Sequence, residues 1–280
     1  MTRIHPQKVW DALASRIARR RTRRRLAGHG PAATAIAGAL EALSNGPVSP
    51  WFEKIEARRR ELAGREDSIP RWGRPWLPNR EDLVPESDPR TEEPIPVATA
   101  VAASKGAEWC RVLFELARRL RPRYVVEMGT NVGISGSYLA AGLEEAGAGA
   151  LVTLEGSPHK AAIAREGFEV LGLSGRVEVV VGDFGDTVDG VLARLGDGID
   201  LAFIDGFHQR EATLAYHEGF VRVAERAVLA YDDIRWSSGM AEAWRRIRSD
   251  DRVATSVDAQ TLGFVEIPRG SGDPLHVDWL

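Results

Sequence analysis

The sequence predicts an α/β protein: a mostly parallel sheet with crossover helices, closed by an antiparallel hairpin and preceded by a helical extension. Three observations predict it. From about residue 98, short apolar runs alternate with stretches of helical spacing, which implies βαβ units with right-handed crossovers. Tyr124 to Met128 is an apolar run that enters a loop bounded by Gly129 and Gly133, so a buried strand, a glycine loop and a helix follow one another. The last two predicted strands are separated only by Asp258-Ala-Gln-Thr261, too short for a parallel crossover, so they pair as a hairpin.

Taken in order, residues 1–45 read as helical, with Val9, Leu13 and Ile17 on one face. A second helix fits 32–43 and stops at Asn45-Gly46-Pro47. A third fits 50–62, with Trp51, Phe52, Ile55 and Leu62 inward. Residues 64–97 are crowded with proline, tryptophan and charge and cannot hold regular structure for long. They read as a linker, or as a lid in which Trp72 and Trp76 pack over the mouth of a site. A helix over 104–120 follows, with Val112, Leu113, Leu116 and Leu120 on one face. Strands are expected at 124–128, 150–155, 176–181, 199–204, 227–231, 253–257 and 262–267, seven in all, with helices at 134–146, 158–171, 186–195, 209–224 and 239–249. This divides the chain into an extension over 1–97 and an α/β domain over 98–280.

Composition narrows the function. The 280 residues carry a net charge of −3, which argues against a general nucleic-acid binder. Seven arginines fall within residues 16–25; they read as a solvated helix face or an oligomer contact, with an RNA footprint or an anionic membrane surface as alternatives. The single cysteine, Cys110, excludes a disulfide framework and a cysteine-rich zinc site and sits in a core pattern. No apolar run reaches the roughly 18 residues of a membrane span, and no signal-peptide core opens the chain, so the cytoplasm is the expected location.

Ligands of such sheets bind beyond the carboxyl ends of the strands. After the first strand comes Glu127-Met-Gly129-Thr130-Asn131-Val-Gly133-Ile-Ser135, where glycines let the backbone approach a ligand and a helix begins. After the second comes Glu155-Gly156, a carboxylate placed to accept both hydroxyls of a ribose. After the third come Asp183 and Phe184, suited to an adenine amino group and ring. Asp205-Gly-Phe-His208 follows the fourth strand and Asp232-Asp233 the fifth.

Glu127-x-Gly129-x-x-x-Gly133 resembles the first motif of class I S-adenosylmethionine-dependent methyltransferases and departs from the dinucleotide fingerprint at Asn131. The hairpin-closed sheet is similar to theirs. The resemblance covers residues 100–268 and implies a Rossmann-like methyltransferase fold that binds S-adenosylmethionine, with Glu127 at the cofactor's amino-acid end. Within that class, the endings Asp205-x-x-His208 and Asp232-Asp233 resemble the metal-dependent O-methyltransferases of the catechol and caffeoyl-CoA type, and those acting on macrolide sugars. That implies Mg²⁺ on Asp205, Asp232 and Asp233. The catechol group has lysine where this chain has His208, so the base is expected to be a histidine. The Asn/Asp-Pro-Pro-Tyr motif of base N-methyltransferases is absent from the sequence. The expectation is therefore O-methylation of a hydroxylated small molecule, with catalysis by His208 and Asp205. The extension would supply lid, acceptor pocket and homodimer contacts. An RNA-directed methyltransferase and a non-catalytic S-adenosylmethionine-binding module are the alternatives.

Overall fold

The computed structural model describes residues 20–44, 48–72, 94–267 and 273–279. Arg16, Arg19 and Trp76 lie outside these residues, as do Val9, Leu13 and Ile17. Residues 20–27 are helical. Helices α1 (Pro31–Leu40), α2 (Pro50–Ala63), α3 (Val97–Ala102) and α4 (Ala107–Leu120) precede the sheet, and Ser68–Ile69 pairs antiparallel with Ile95–Pro96. The sheet strands are β1 (Tyr124–Met128), β2 (Ala150–Glu155), β3 (Val177–Val181), β4 (Ile199–Ile204), β5 (Ala227–Tyr231), β6 (Thr255–Ala259), β7 (Leu262–Ile267) and β8 (Leu275–Asp278). Between them run α5 (Ile134–Ala146), α6 (Pro158–Val170), α7 (Phe184–Leu195), α8 (Arg210–Val223) and α9 (Ser238–Arg248).

The strand order is β8-β6-β7-β5-β4-β1-β2-β3. β1 to β5 are parallel, and β7 runs antiparallel to both β5 and β6. The expected hairpin is present. The sheet has eight strands rather than seven, because β8 adds to β6 in parallel at the edge. Leu-His-Val-Asp is too short and too polar to announce itself as a strand; it is held by backbone bonds from Leu275 to Ala254 and from Trp279 to Asp258.

Strand residues alternate between two buried faces, as the pleat requires. Val125, Leu151, Leu201 and Val228 meet α1 to α5, while Val126, Val152, Ala202 and Leu229 meet α7, α8 and α9. The helices before the sheet thus share a core with its first face. Phe52 of α2 packs edge-on against Phe114 of α4 at 4.9 Å and stacks on Tyr138 of α5 at 5.5 Å. Ser49 caps α2, its hydroxyl accepting from the Trp51 amide and donating to Glu145. Cys110 is buried, as expected.

The helix expected over 104–120 begins three residues later, at Ala107, and runs unbroken to Leu120. α3 ends at Ala102 and α4 starts at Ala107, with Gly106 extended before its first turn. The loop between them is clamped from three sides. The Asn131 side-chain Nδ2 donates to the Ala100 carbonyl at 2.7 Å, and the Lys105 carbonyl accepts from Arg59 at 2.9 Å and from the Cys110 thiol at 3.4 Å. These bonds outweigh local helical spacing and turn Lys105 towards the strand ends.

Candidate active site

The chain reverses direction in the sheet between β1 and β4, since β2 and β3 lie on one side of β1 and β4 and β5 on the other. A crevice opens at the carboxyl ends of such strands. Here it is a cavity of about 360 Å³, within the size range of small-molecule sites.

Backbone bonds that continue the ladder place the residues around it. The Gly129 and Thr130 amides donate to Leu154, Asp205 to Met128, Gly182 to Glu155 and Asp232 to Ile204. Gly129 has φ 101°, and a Cβ there would lie 2.3 Å from the Asp205 carbonyl oxygen, so only glycine lets β1 and β4 exits touch. Asn131 at φ 49°, Phe207 at 62° and His208 at 30° are also left-handed. Non-glycine residues take this conformation uncommonly, and it tends to gather at functional sites.

Of the residues singled out from sequence, Gly129, Thr130, Asn131, Ser135, Glu155, Gly156, Asp183, Phe184, Asp205 and His208 line the cavity. Glu127 and Gly133 stand behind its wall. Glu127 is fully buried; Ser135 donates to one carboxylate oxygen at 2.6 Å and Thr153 to the other at 2.7 Å. Burial pushes its carboxyl up to about 8, against the pull of those two hydroxyls. Glu155 accepts from the Asn131 amide at 2.8 Å and the Ser157 amide at 2.9 Å. Its remaining lone pairs could hold a diol. Burial raises its pKa, and Lys160 opposes the rise.

Trp72, Ser104, Lys105, Lys160 and Phe207 also line the cavity and were not assigned to it from sequence. Trp72 carried a signal as a possible lid. Its indole N–H donates to Asp183 at 3.3 Å, and a Cβ on Gly156 would lie 2.5 Å from the same nitrogen. Lys105 had none, because it fell inside an apparently continuous helix.

Beyond β4 and β5 the site is charged. His208 Nε2 lies 3.2 Å from Asp205 Oδ1. Burial alone would lower the His208 pKa, but the Asp205 hydrogen bond and the charges of Asp205, Asp232 and Asp233 outweigh it and leave it raised. Lys105 Nζ is bonded to Asp232 and lies 3.3 Å from Asp233 Oδ1. Burial pushes the Asp232 carboxyl up and the Asp205 charge adds to this, while Lys105 pulls it back. Asp205, His208 and Asp232 each offer one ligand atom, all within 4.8 Å of one another. Two carboxylates and an imidazole are donors that a divalent cation accepts, so the residues fit a metal. Asp233 stands beside this group with its carboxylate turned to Lys105. No helix among the described residues is long and apolar enough to cross a membrane.

Comparisons with known proteins agree with this geometry. A family described as a methyltransferase domain matches residues 126–234. The chain is 37% identical over 178 residues to a catechol O-methyltransferase of Mycobacterium tuberculosis, covering 60% of this chain and 76% of that protein. It is 26% identical over 236 residues to a catechol O-methyltransferase of Niastella koreensis, covering 81% and 97%. In fold it is similar to a Bacillus cereus O-methyltransferase solved with S-adenosylhomocysteine, with a TM-score of 0.56 and 20% identity over 82% of this chain and 95% of that one. It is similar too to TomG of Streptomyces achromogenes, an O-methyltransferase solved with S-adenosylmethionine, with a TM-score of 0.53 and 20% identity over 80% and 92%. The relatives in sequence, the fold and the position of the cavity lead to one conclusion: the chain belongs to the class I S-adenosylmethionine-dependent O-methyltransferases.

Proposed function

We propose that the protein methylates a hydroxyl group of a small molecule, with His208 as general base and Asp205 as its orienting partner. The observation that carries this reading is the contact of 3.2 Å between His208 Nε2 and Asp205 Oδ1 at the rim of the cavity. In the neutral tautomer Nε2–H donates to Asp205, which leaves Nδ1 to take a proton. The acceptor oxygen attacks the methyl carbon of the sulfonium, the C–S bond breaks, its electron pair stays on sulfur, and S-adenosylhomocysteine leaves. The hydroxyl proton goes to His208. The sulfonium supplies the driving force, so the protein mainly positions and deprotonates the acceptor.

The cofactor reading places Glu155 on the ribose, Asp183 and Phe184 on the adenine, and the loop Gly129-Thr130-Asn131 with Ser135 and Gly156 around the rest. Glu127, behind the wall, supports the loop through Ser135. Asp205 and Asp232 would hold Mg²⁺, with Asp233 beside them; such a cation lowers the pKa of a bound hydroxyl. The cluster of Asp205, His208 and Asp232 supports the metal, and the relatives named catechol O-methyltransferase support the small-molecule acceptor. A screen of hydroxylated metabolites with methyl-labelled cofactor, run with Mg²⁺ and with EDTA, tests the reading. Turnover confined to the Mg²⁺ arm is expected. Methyl transfer only to RNA would replace it with the RNA-directed alternative.

A further inference from the structure

We infer that Lys105 is the resident counter-ion of the aspartate cluster, and that its ammonium, held between Asp232 and Asp233, competes with the divalent cation for Asp232, so that this lysine sets how tightly the metal binds. The inference rests on the cation reading above and deepens it.

Three carboxylates converge where β4 and β5 end. Asp232 is nearly inaccessible, with 4% of its side chain exposed, and Lys105 has 10% exposed. A carboxylate as far from water as Asp232 needs a compensating charge. Lys105 supplies it, bonded to Asp232 and 3.3 Å from Asp233. A positive charge against these carboxylates weakens their hold on a second cation, whether it leaves when the metal arrives or stays beside it. An ammonium on a flexible four-carbon stem is suited to withdraw, which a bidentate guanidinium is not.

The backbone of Lys105 is fixed independently of its head group. Its carbonyl is held by Arg59 and Cys110, and the preceding Ala100 and Ser104 accept from the Asn131 side chain, at 2.7 and 3.3 Å. Asn131 also donates its backbone amide to Glu155. The loop that carries Lys105 is therefore tied to the glycine loop and to Glu155 while its ammonium sits on the aspartates. The aspartates are placed by strand ends, and the Asp232 amide is held by Ile204, so removing the lysine charge leaves the ligands in place.

The test is Mn²⁺ binding, measured by electron paramagnetic resonance and calorimetry on the full chain with S-adenosylhomocysteine present. Lys105→Gln should bind Mn²⁺ at least about fivefold more tightly than wild type, the lower end of ordinary coupling between sites. Lys105→Arg, which keeps the charge, should bind no more tightly than wild type. Thermal melting gives a second readout. Lys105→Gln should melt below wild type without cation, and Mn²⁺ should raise its midpoint by more than it raises the wild type's. Lys105→Met, which keeps the apolar stem, takes the place of the glutamine variant if that one does not fold. Equal or weaker Mn²⁺ binding in both neutral variants, with wild type binding measurably, overturns the inference and leaves the cation reading standing. Absence of Mn²⁺ binding in wild type and variants alike, with turnover that survives EDTA, removes the cation reading and the inference with it.

Discussion

The two halves of the cavity bury carboxylates by different means. On the side of β1 and β2, Glu127 and Glu155 are satisfied by neutral donors: the Ser135 and Thr153 hydroxyls, and the Asn131 and Ser157 amides. These partners come from the same βαβ unit. On the side of β4 and β5, Asp205 is held by its near neighbour His208, while Asp232 and Asp233 are satisfied by the charge of Lys105, which lies 127 residues before Asp232. Neutral donors fix a carboxylate without cancelling it and leave a rigid, preformed pocket. Opposite charges hold a cluster that can exchange one cation for another. The comparison teaches that the half resembling a nucleoside pocket is built locally, and the half resembling a reaction centre draws its counter-ion from a distant segment.

The sharpest way to break this division is Asp205→Ala. Turnover should be lost, while S-adenosylhomocysteine still binds by calorimetry; loss of cofactor binding as well would show that the two halves are not separable. His208→Ala should lower kcat by about 10²–10⁴, the usual range for a general base. The base must be neutral to accept a proton, and its pKa is raised from 6.5. The wild-type rate should therefore rise with pH as His208 loses its proton, and the variant should lack that rise. A variant that keeps the same inflection would remove His208 from the role.

Glu155→Ala probes the neutral half. Cofactor binding should weaken by roughly 1.5–3 kcal/mol, the worth of hydrogen bonds to a charged group, with kcat at saturating cofactor nearly unchanged. Unaltered affinity would sink the ribose assignment. Behind the wall the expected effect is on stability alone. The folded-state pKa of Glu127 is about 8 against an ordinary 4.5. Between these values the folded protein binds more protons than the unfolded chain, so its contribution to stability falls as pH rises. Glu127→Gln should remove a slope of about 1 kcal/mol per pH unit within that window. Melting curves from pH 5 to 8 that run parallel for wild type and variant would show that Glu127 does not titrate there.

The sequence by itself determined the frame. β1, β2, β4 and β5, and the helix α5 between β1 and β2, begin and end where periodicity and glycines place them, because an apolar run between breakers has only one way to bury both faces. The residue after each strand was also legible, since a parallel sheet brings its carboxyl ends to one edge: Glu155, Asp183, Asp205 and Asp232 follow from counting. What only the tertiary structure decided depends on contacts between segments far apart in the chain. β8 pairs at the edge through backbone bonds that carry no side-chain pattern. Trp72 reaches Asp183 from 111 residues away. Lys105 lines the cavity because Arg59 holds its carbonyl and Asn131 holds Ala100 and Ser104 before it, so that the helix its local spacing favours starts only at Ala107. Local propensity is worth a fraction of a kcal/mol per residue, so the hydrogen bonds that Arg59 and Asn131 make from far along the chain override it, and no periodicity records them.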